Sequence, residues 1–183
     1  MNLSRTLRKL TPPRVLKVLT HPDPRLQQTS RAVDLNLEPE FDLLLRDMIA
    51  TMRKFEGLGL AAIQVGIPKR FFVYDDSEKQ DDPRVLVNPR IIARSDELAN
   101  LEEGCLSFPG LYRPVERAAS VTVIGLDHEG EPVEFTADGL LARVIEHEID
   151  HLDGINFITL LSNAQRKAAL REYFDLAPTH TGG

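Results

Sequence analysis

The sequence has only one cysteine, Cys105, in 183 residues. A single thiol cannot form a disulfide within the chain, which excludes the class of small secreted domains held together by disulfides. No segment approaches the roughly 20 consecutive apolar residues that a membrane-spanning helix needs. Excess positive charge is missing too, because the formal net charge is −6 and the isoelectric point is about 5.4. We therefore predict neither a sequence-specific nucleic-acid partner nor a membrane partner.

The remaining composition is that of an ordinary globular domain, with 42% hydrophobic and 27% charged residues. The length favours one domain, and no internal repeat, low-complexity tract or interdomain linker divides it. We place this domain at residues 14–176, between a flexible leader at 1–13 and a flexible tail at 177–183. The leader is basic and resembles an organelle transit peptide only weakly, so a cytoplasmic protein is the better interpretation.

Hydrophobic spacing predicts three helices. Residues 39–55 repeat apolar side chains at intervals of three and four, which is typical of an amphipathic helix. A second helix is expected over 139–153, between Asp138 as its N-cap and Gly154 as its stop. A third helix begins after Ser162. Segments rich in β-branched and aromatic residues predict strands at 70–75, 85–89, 90–95, 120–127 and 131–138.

The predicted second helix carries His147 and His151, four residues apart, with Glu148 directly after the first histidine. Four residues advance about 400° around an α-helix, so both imidazoles lie on one face and can share one ion. Either histidine alone would be explained as a core residue bonded to backbone carbonyls. The pattern HExxH instead pairs two nitrogen ligands with a neighbouring carboxylate.

The predicted helices and strands, taken with this motif, indicate an α+β fold. We expect a single compact domain with antiparallel strands around a central metal-binding helix.

A catalytic ion of this kind needs a third protein ligand and an open position for water. In HExxH peptidases the third ligand follows the helix, where this chain offers Glu172 and His180 near its end. The segment EEGCLSFPG at 102–110 offers Cys105 upstream instead. A lone cysteine is usually a small buried hydrophobic residue, but here a glycine and a proline flank it. Cys105 is the better candidate, and an HExxH metallopeptidase remains the alternative.

A third segment, GLGLAAIQVG at 57–66, combines glycines and alanines with one polar side chain, Gln64. It completes neither of the glycine-rich patterns that bind phosphate. A flexible loop leading into a helix or strand explains the segment equally well. Its residues alone assign it no chemistry.

Together the three segments resemble the peptide deformylase family, whose motifs GxGxAAxQ, EGCLS and HExxH are complete here and in the family's order. They match residues 57–64, 103–107 and 147–151, within a resemblance over roughly residues 14–175. The family removes the formyl group from the initiating methionine of nascent bacterial and organellar proteins. The resemblance implies N-formylmethionyl nascent peptides as substrate and transient association with the ribosome. Because the leader resembles a transit peptide only weakly, we expect a bacterial cytoplasmic location rather than an organelle matrix.

The resemblance further implies a metal centre with a base beside it. Cys105, His147 and His151 would bind one divalent metal ion, which is Fe²⁺ in cells of the family, although Zn²⁺, Ni²⁺ or Co²⁺ can occupy the site. Thiolate and imidazole ligands accept all four metals, so the softness of the ligands does not determine which metal binds. Glu148 would act first as general base and then as general acid.

Oxyanion and substrate contacts follow from the same resemblance. The Gln64 side-chain amide and the Leu106 backbone N–H would stabilise the oxyanion. Leu58, Gly59 and Gly104 would contact an extended peptide, which can bind as an added strand.

Several assignments stay open at the level of sequence. No motif fixes the residues of the methionine pocket, although residues 140–144 are reasonable neighbours. Asp150 either orients a metal ligand or pairs with Arg143 on the helix surface, and Glu103 is equally ambiguous. A non-catalytic deformylase-like module for metal storage or protein interaction is a further alternative. The intact base Glu148 weighs against it, because storage needs no proton transfer.

Overall fold

The computed structural model describes residues 12–37, 40–75 and 81–176. The three α-helices of these ranges are α1 Phe41–Lys54, α2 Gly139–Leu152 and α3 Asn163–Leu176. Their seven strands are β1 Gly59–Ala61, β2 Phe71–Tyr74, β3 Arg84–Arg94, β4 Leu98–Cys105, β5 Phe108–Ala118, β6 Ser120–Leu126 and β7 Pro132–Asp138. Among these helices, none combines the length and the apolar character that crossing a membrane requires. Residues 1–11 of the predicted leader and the whole predicted tail at 177–183 lie outside the described ranges.

Two antiparallel sheets make up the β structure. Strands β1, β2, β3, β6 and β7 form a five-stranded sheet in that order, and β4 pairs only with β5. Each pairing of neighbouring strands is antiparallel. The predicted α+β class, a single compact domain with antiparallel strands, is confirmed.

Strand β3 joins two segments that the sequence predicts as separate strands, 85–89 and 90–95. The pairing of β3 with β6 shifts register between Val87 and Arg90. Between them, Asn88 has a φ of 50°, and Pro89 has no backbone N–H to donate to a ladder. A bulge therefore interrupts one long strand where the sequence pattern indicates a break.

Strands β4 and β5 are absent from the strands predicted by composition. β4 reads LANLEEGC and has no β-branched residue, while β5 contains Pro109 and Pro114. Both features lower the propensity for strand structure. The two segments pair with each other from Leu98 with Ala118 to Cys105 with Phe108. This hairpin carries Cys105 to the interior.

A helix covers each face of the five-stranded sheet. Alternate residues of a strand point to opposite faces, and β2 is apolar at every position. Phe72 packs with Ile145 of α2 on one face, whereas Phe71 packs with Met48 of α1 on the other. All four side chains are fully buried. Helix α2 therefore lies in the interior and can hold its histidines in place.

The ends of α2 lie where the sequence predicts them. Asp138 is the N-cap residue, although its side chain makes no capping hydrogen bond in the structure. Gly154 follows the helix in the left-handed conformation, with a φ of 75°. A Cβ at Gly154 would lie 2.5 Å from the backbone oxygen of Gln27. The glycine thus ends the helix and allows the chain near Gln27 to approach it.

We expect Gly154→Ala to destabilise the protein more than Gly139→Ala does, although both glycines have positive φ. At Gly139 nothing lies within 4 Å of an added Cβ. That variant carries only the conformational cost of left-handed backbone, about 1–2 kcal/mol. At Gly154 the Cβ also meets the backbone of Gln27, which cannot rotate away as a side chain can. Urea unfolding measures both variants, and equal losses in the free energy of unfolding would contradict this steric effect.

Candidate active site

Helix α2 and the end of strand β4 bring three candidate metal ligands together. The ring centroids of His147 and His151 lie 4.9 Å apart. Cys105, the last residue of β4, places its Sγ 3.2 Å from His151 Nε2. Each of the three residues offers one donor atom, and these atoms all lie within 4.8 Å of one another. The structure thus assembles the three ligands that the sequence suggests.

The geometry of this group fits a divalent transition metal. Sulfur and nitrogen ligands at about 2.0–2.3 Å from a tetrahedral ion lie roughly 3.3–3.8 Å apart. The 3.2 Å between Cys105 Sγ and His151 Nε2 is close to that range. His147 Nδ1 bonds to Glu103 at 2.9 Å, which leaves its Nε2 for an ion. The residues therefore fit one divalent metal ion.

The two histidines have opposite pKa shifts. Burial lowers the pKa of His151 well below its ordinary value, which favours the neutral imidazole that binds metal. At His147 burial also lowers the pKa, but hydrogen bonds to Cys105 and Glu103 outweigh it and raise the pKa above its ordinary value. Metals bind deprotonated ligands, so metal binding and proton release are coupled at His147.

Glu103 holds the His147 ring through a buried carboxylate. Its Oε2 accepts a hydrogen bond from His147 Nδ1 at 2.9 Å, and Oε1 accepts one from Arg143 Nη1 at 2.6 Å. Arg117 donates to both oxygens. Burial raises the pKa of Glu103, but the bonds from His147 and Arg117 outweigh it and lower the pKa to about 2. The ionised carboxylate fixes the ring orientation of a metal ligand, which resolves the ambiguity of Glu103 in the sequence.

Arg143 does not pair with Asp150, so that sequence-based alternative is wrong. Asp150 instead accepts a hydrogen bond from Arg117 Nη1 at 2.7 Å. Besides Glu103, Arg143 donates to the backbone oxygens of Val115 at 2.7 Å and Ala99 at 2.6 Å, and so ties α2 to both strands of the hairpin. One signal was available: Arg143 precedes His147 by four residues, and a charge on a buried helix face needs a buried partner.

Glu148 lies beside the candidate metal ligands with an unbonded oxygen. The residue is 4% exposed, and its Oε2 has no hydrogen-bond partner among the described residues. Burial raises the pKa of Glu148 to about 7 against the opposing influence of His147. A Cβ at Gly59 would overlap this carboxylate. Gly59 therefore leaves space for the Glu148 carboxylate, which its predicted contact with a peptide does not account for.

Gln64 reaches the metal centre from the short 3₁₀-helix Ala62–Val65. Its side chain is buried at 1% exposure, and its Oε1 accepts a hydrogen bond from the Ala61 N–H at 2.8 Å. The Nε2 atom lies 3.6 Å from Cys105 Sγ. An amide donor is thus placed beside the ligands, where it can stabilise an oxyanion.

A cavity of ≈ 680 Å³ opens in front of these residues. Its walls include Leu58, Gly59 and Gly104, which are predicted to contact the peptide. They also include Leu106, whose backbone N–H is predicted to contact the oxyanion. Leu140 and Val144, the expected neighbours of the methionine pocket, also line it. Gly104 lies opposite Tyr112 in the hairpin, and a Cβ at Gly104 would overlap the tyrosine ring. The cavity is large enough for a side chain and adjoining backbone of a peptide.

Of the downstream ligands that a peptidase would need, the structure describes only Glu172, which does not lie at the centre. Glu172 is paired on the surface with Arg113, whose Nη1 lies 3.3 Å from Glu172 Oε1. His180 lies outside the described residues. Of the candidates for a third ligand that the structure describes, Cys105 alone joins the histidines.

Comparison with known proteins identifies the same family that the sequence motifs resemble. The family described as Polypeptide deformylase matches residues 15–167. Peptide deformylase 2 of Xanthomonas campestris pv. campestris is 47% identical over 155 residues, which cover 84% of this chain and 91% of that protein. The peptide deformylase of Phenylobacterium zucineum is 44% identical over 160 residues, which cover 86% of this chain and 94% of that protein.

Solved structures agree with these relatives. A peptide deformylase from Legionella pneumophila is similar with a TM-score of 0.83 at 39% identity, covering 88% of this chain and 95% of that chain. The enzyme from Ehrlichia chaffeensis in complex with actinonin also gives a TM-score of 0.83, at 37% identity over 91% of this chain and 99% of that chain. The chain therefore belongs to the peptide deformylase family, the enzymes that remove the formyl group from N-formylmethionyl peptides.

Proposed function

We propose that Cys105, His147 and His151 hold one Fe²⁺ ion, and that Glu148 and Gln64 act beside it in hydrolysis of the N-formyl group. The observation that supports this most strongly is the convergence of the three candidate ligands beside a cavity, whose walls include Cys105, His147, Glu148 and Gln64. When bound, the ion would lower the pKa of a coordinated water and polarise the formyl oxygen. The preference for iron rests on the family resemblance, because the ligand set also accepts Zn²⁺, Ni²⁺ or Co²⁺.

Glu148 is the proton carrier in this proposal. Its buried carboxyl lines the cavity and has a pKa of about 7, raised by burial. Such a group can accept the proton that the attacking water loses and then donate it to the departing amine. One side chain thus serves both proton transfers. Gly59 leaves room for this side chain, because any Cβ at that position would overlap it.

Gln64 and the Leu106 backbone N–H stabilise the negative charge that develops on the formyl oxygen. The Gln64 amide is bonded to Ala61 before any substrate binds. Leu106 follows Cys105 in the turn between β4 and β5 and lines the cavity. Donors that are fixed in advance need no reorganisation when charge appears, which is the main source of such stabilisation.

The peptide is proposed to lie extended between Leu58 and Gly59 on one side and Gly104 on the other. An extended segment can add backbone hydrogen bonds like a further strand. The methionine side chain would pack against Leu140 and Val144. Leu140 is 53% exposed, so covering it would remove apolar surface from water.

The cellular setting follows from the substrate and the relatives. The relatives above come from bacteria, which supports a bacterial cytoplasmic location over an organelle matrix. N-formylmethionyl chains arise during synthesis, so transient association with the ribosome is part of the proposal. Metal storage is less well supported, because a buried base such as Glu148 has no part in it.

Formate release from a formyl-methionyl peptide under anaerobic conditions tests the proposal. The acetyl-methionyl analogue serves as the matched substrate, since it differs only by a methyl group at the reacting carbon. The proposal expects formate from the first peptide and far slower hydrolysis of the second. Cleavage of internal amide bonds with no formate would instead support the peptidase alternative.

Replacing Cys105 with Ala is expected to abolish tight stoichiometric metal binding. The variant loses the thiolate, and two imidazoles alone make a weaker site. Circular dichroism should show most of the secondary structure retained. Metal analysis of the folded variant is the decisive measurement, and one tightly held ion with full activity would disprove the third-ligand assignment.

Replacing Glu148 with Gln should lower turnover by roughly 10²–10⁴-fold, because the amide keeps the shape but cannot carry the proton. Metal content and KM should stay near those of the wild type. Glu148→Ala separates shape from proton transfer and should be at least as slow. Near-normal formate release with the metal bound would refute the role of Glu148, and loss of the metal would make Glu148 a ligand.

Iron-loaded protein should lose activity in air or peroxide faster than protein loaded with zinc or nickel. Activity can be lost by oxidation of the metal ion or of the Cys105 thiolate. Zinc is redox-inactive, so in zinc-loaded protein only the thiolate can be oxidised. Formate release is followed over time for each metal form with equal initial metal content. Equal lifetimes in air would count against iron as the working metal.

A further inference from the structure

The side-chain amide of Gln64 has a fixed orientation. A backbone N–H can only donate, so the amide atom that faces the Ala61 N–H at 2.8 Å must be the oxygen. The NH₂ group therefore faces the other way, with Nε2 3.2 Å from Ser107 Oγ and 3.6 Å from Cys105 Sγ. The two hydrogens of an NH₂ group lie at a fixed angle in one plane. An acceptor for one hydrogen therefore sets the direction of the other.

Ser107 is itself held by its backbone. Its N–H donates to Cys105 Sγ at 3.4 Å, and its carbonyl oxygen accepts from the His21 N–H at 2.9 Å. The His21 ring stacks on Phe108 with centroids 4.9 Å apart. Ser107 is fully buried, so solvent does not compete for its hydroxyl. The backbone of Ser107 is thus held by neighbours other than Gln64.

We propose that Ser107 is a positioning residue for the deformylation reaction. Its hydroxyl accepts one N–H of Gln64 and so directs the second N–H toward Cys105 Sγ, the side on which the formyl oxygen would lie in the proposed reaction. The terminal torsion of glutamine has a broad intrinsic preference, so the bond to Ala61 alone leaves the amide plane poorly defined. Ser107 supplies the second fixed point. This inference rests on the proposed role of Gln64 as oxyanion donor.

A double-mutant cycle separates this role from a structural one. Gln64→Ala should lower kcat by roughly 10²–10³-fold, as removal of one oxyanion donor does. Ser107→Ala should lower kcat by about 10-fold, in the range expected for one hydrogen bond, with KM and metal content unchanged. In the Gln64→Ala background the same serine change should have no further effect on kcat, because Ser107 acts only through Gln64.

The outcomes distinguish the inference from the function on which it rests. If Ser107→Ala lowers kcat equally in both backgrounds, or leaves kcat unchanged in the wild-type background, the positioning role is overturned while that of Gln64 stands. If Gln64→Ala alone leaves kcat unchanged, the oxyanion role of Gln64 is wrong and this inference falls with it.

Ser30→Ala is the matched control. Ser30 is also buried, and its Oγ has no hydrogen-bond partner among the described residues. This variant also removes a buried serine hydroxyl, but at a position away from Gln64, and should leave kcat unchanged. A fall in kcat as large as that of Ser107→Ala would show that deleting any buried hydroxyl slows the enzyme, which would overturn the inference.

A measurement on the zinc-loaded wild-type protein needs no folded Ser107 variant. In ¹⁵N spectra both side-chain NH₂ protons of Gln64 should exchange with water far more slowly than those of exposed Gln27 and Gln28. If Ser107→Ala folds, its Gln64 signals should move and exchange faster. Exchange of the wild-type Gln64 protons as fast as at Gln27 and Gln28 would overturn the inference.

Discussion

The buried carboxylate of Glu103 joins the two elements that carry the candidate metal ligands. Glu103 bonds to Arg143 and His147 of α2, and Cys105, two residues along β4, lies against His151 of the same helix. Helix residues four apart share a face, so Arg143 and His147 can both meet this carboxylate. A buried charge of this kind is tolerated only when it is fully paired, and removal of one partner typically costs about 3–5 kcal/mol. The register between hairpin and helix is therefore fixed by electrostatics as well as by apolar packing.

How far the sequence predicts this arrangement depends on whether the signal is local. Helix α2 was predicted correctly because its apolar period, its N-cap position at Asp138 and its stop at Gly154 lie within one segment. The β4–β5 hairpin was not predicted, because its residues have low strand propensity and the bonds from Arg143 to Ala99 and Val115 that hold it come from α2. The Arg143–Asp150 pairing was wrong for a related reason. Sequence proximity suggested it, whereas Asp150 bonds to Arg117, 33 residues away.

The candidate site is also predicted by the sequence only where the signal is local. Two histidines at helical spacing indicate a metal from local geometry. The glycine and proline near Cys105 favoured it as the third ligand, but only the resemblance to a family assigned it that role. The reason for glycine at position 59 was hidden in the sequence, since it depends on a carboxylate 89 positions further along the chain. Gln64 could be singled out as a polar residue in an apolar segment, yet the bonds to Ala61 and Ser107 that orient it depend on the folded chain.

The ligands also come from two separate parts of the β and α structure, since Cys105 belongs to the two-stranded hairpin and the histidines to α2. An ion bound by both would therefore act as a cross-link that closes a loop of chain between residues 46 apart in sequence. Ions that bind the folded state and not the unfolded chain shift the folding equilibrium by mass action. The same three side chains would thus make the resistance of the protein to unfolding a function of the free metal concentration around it.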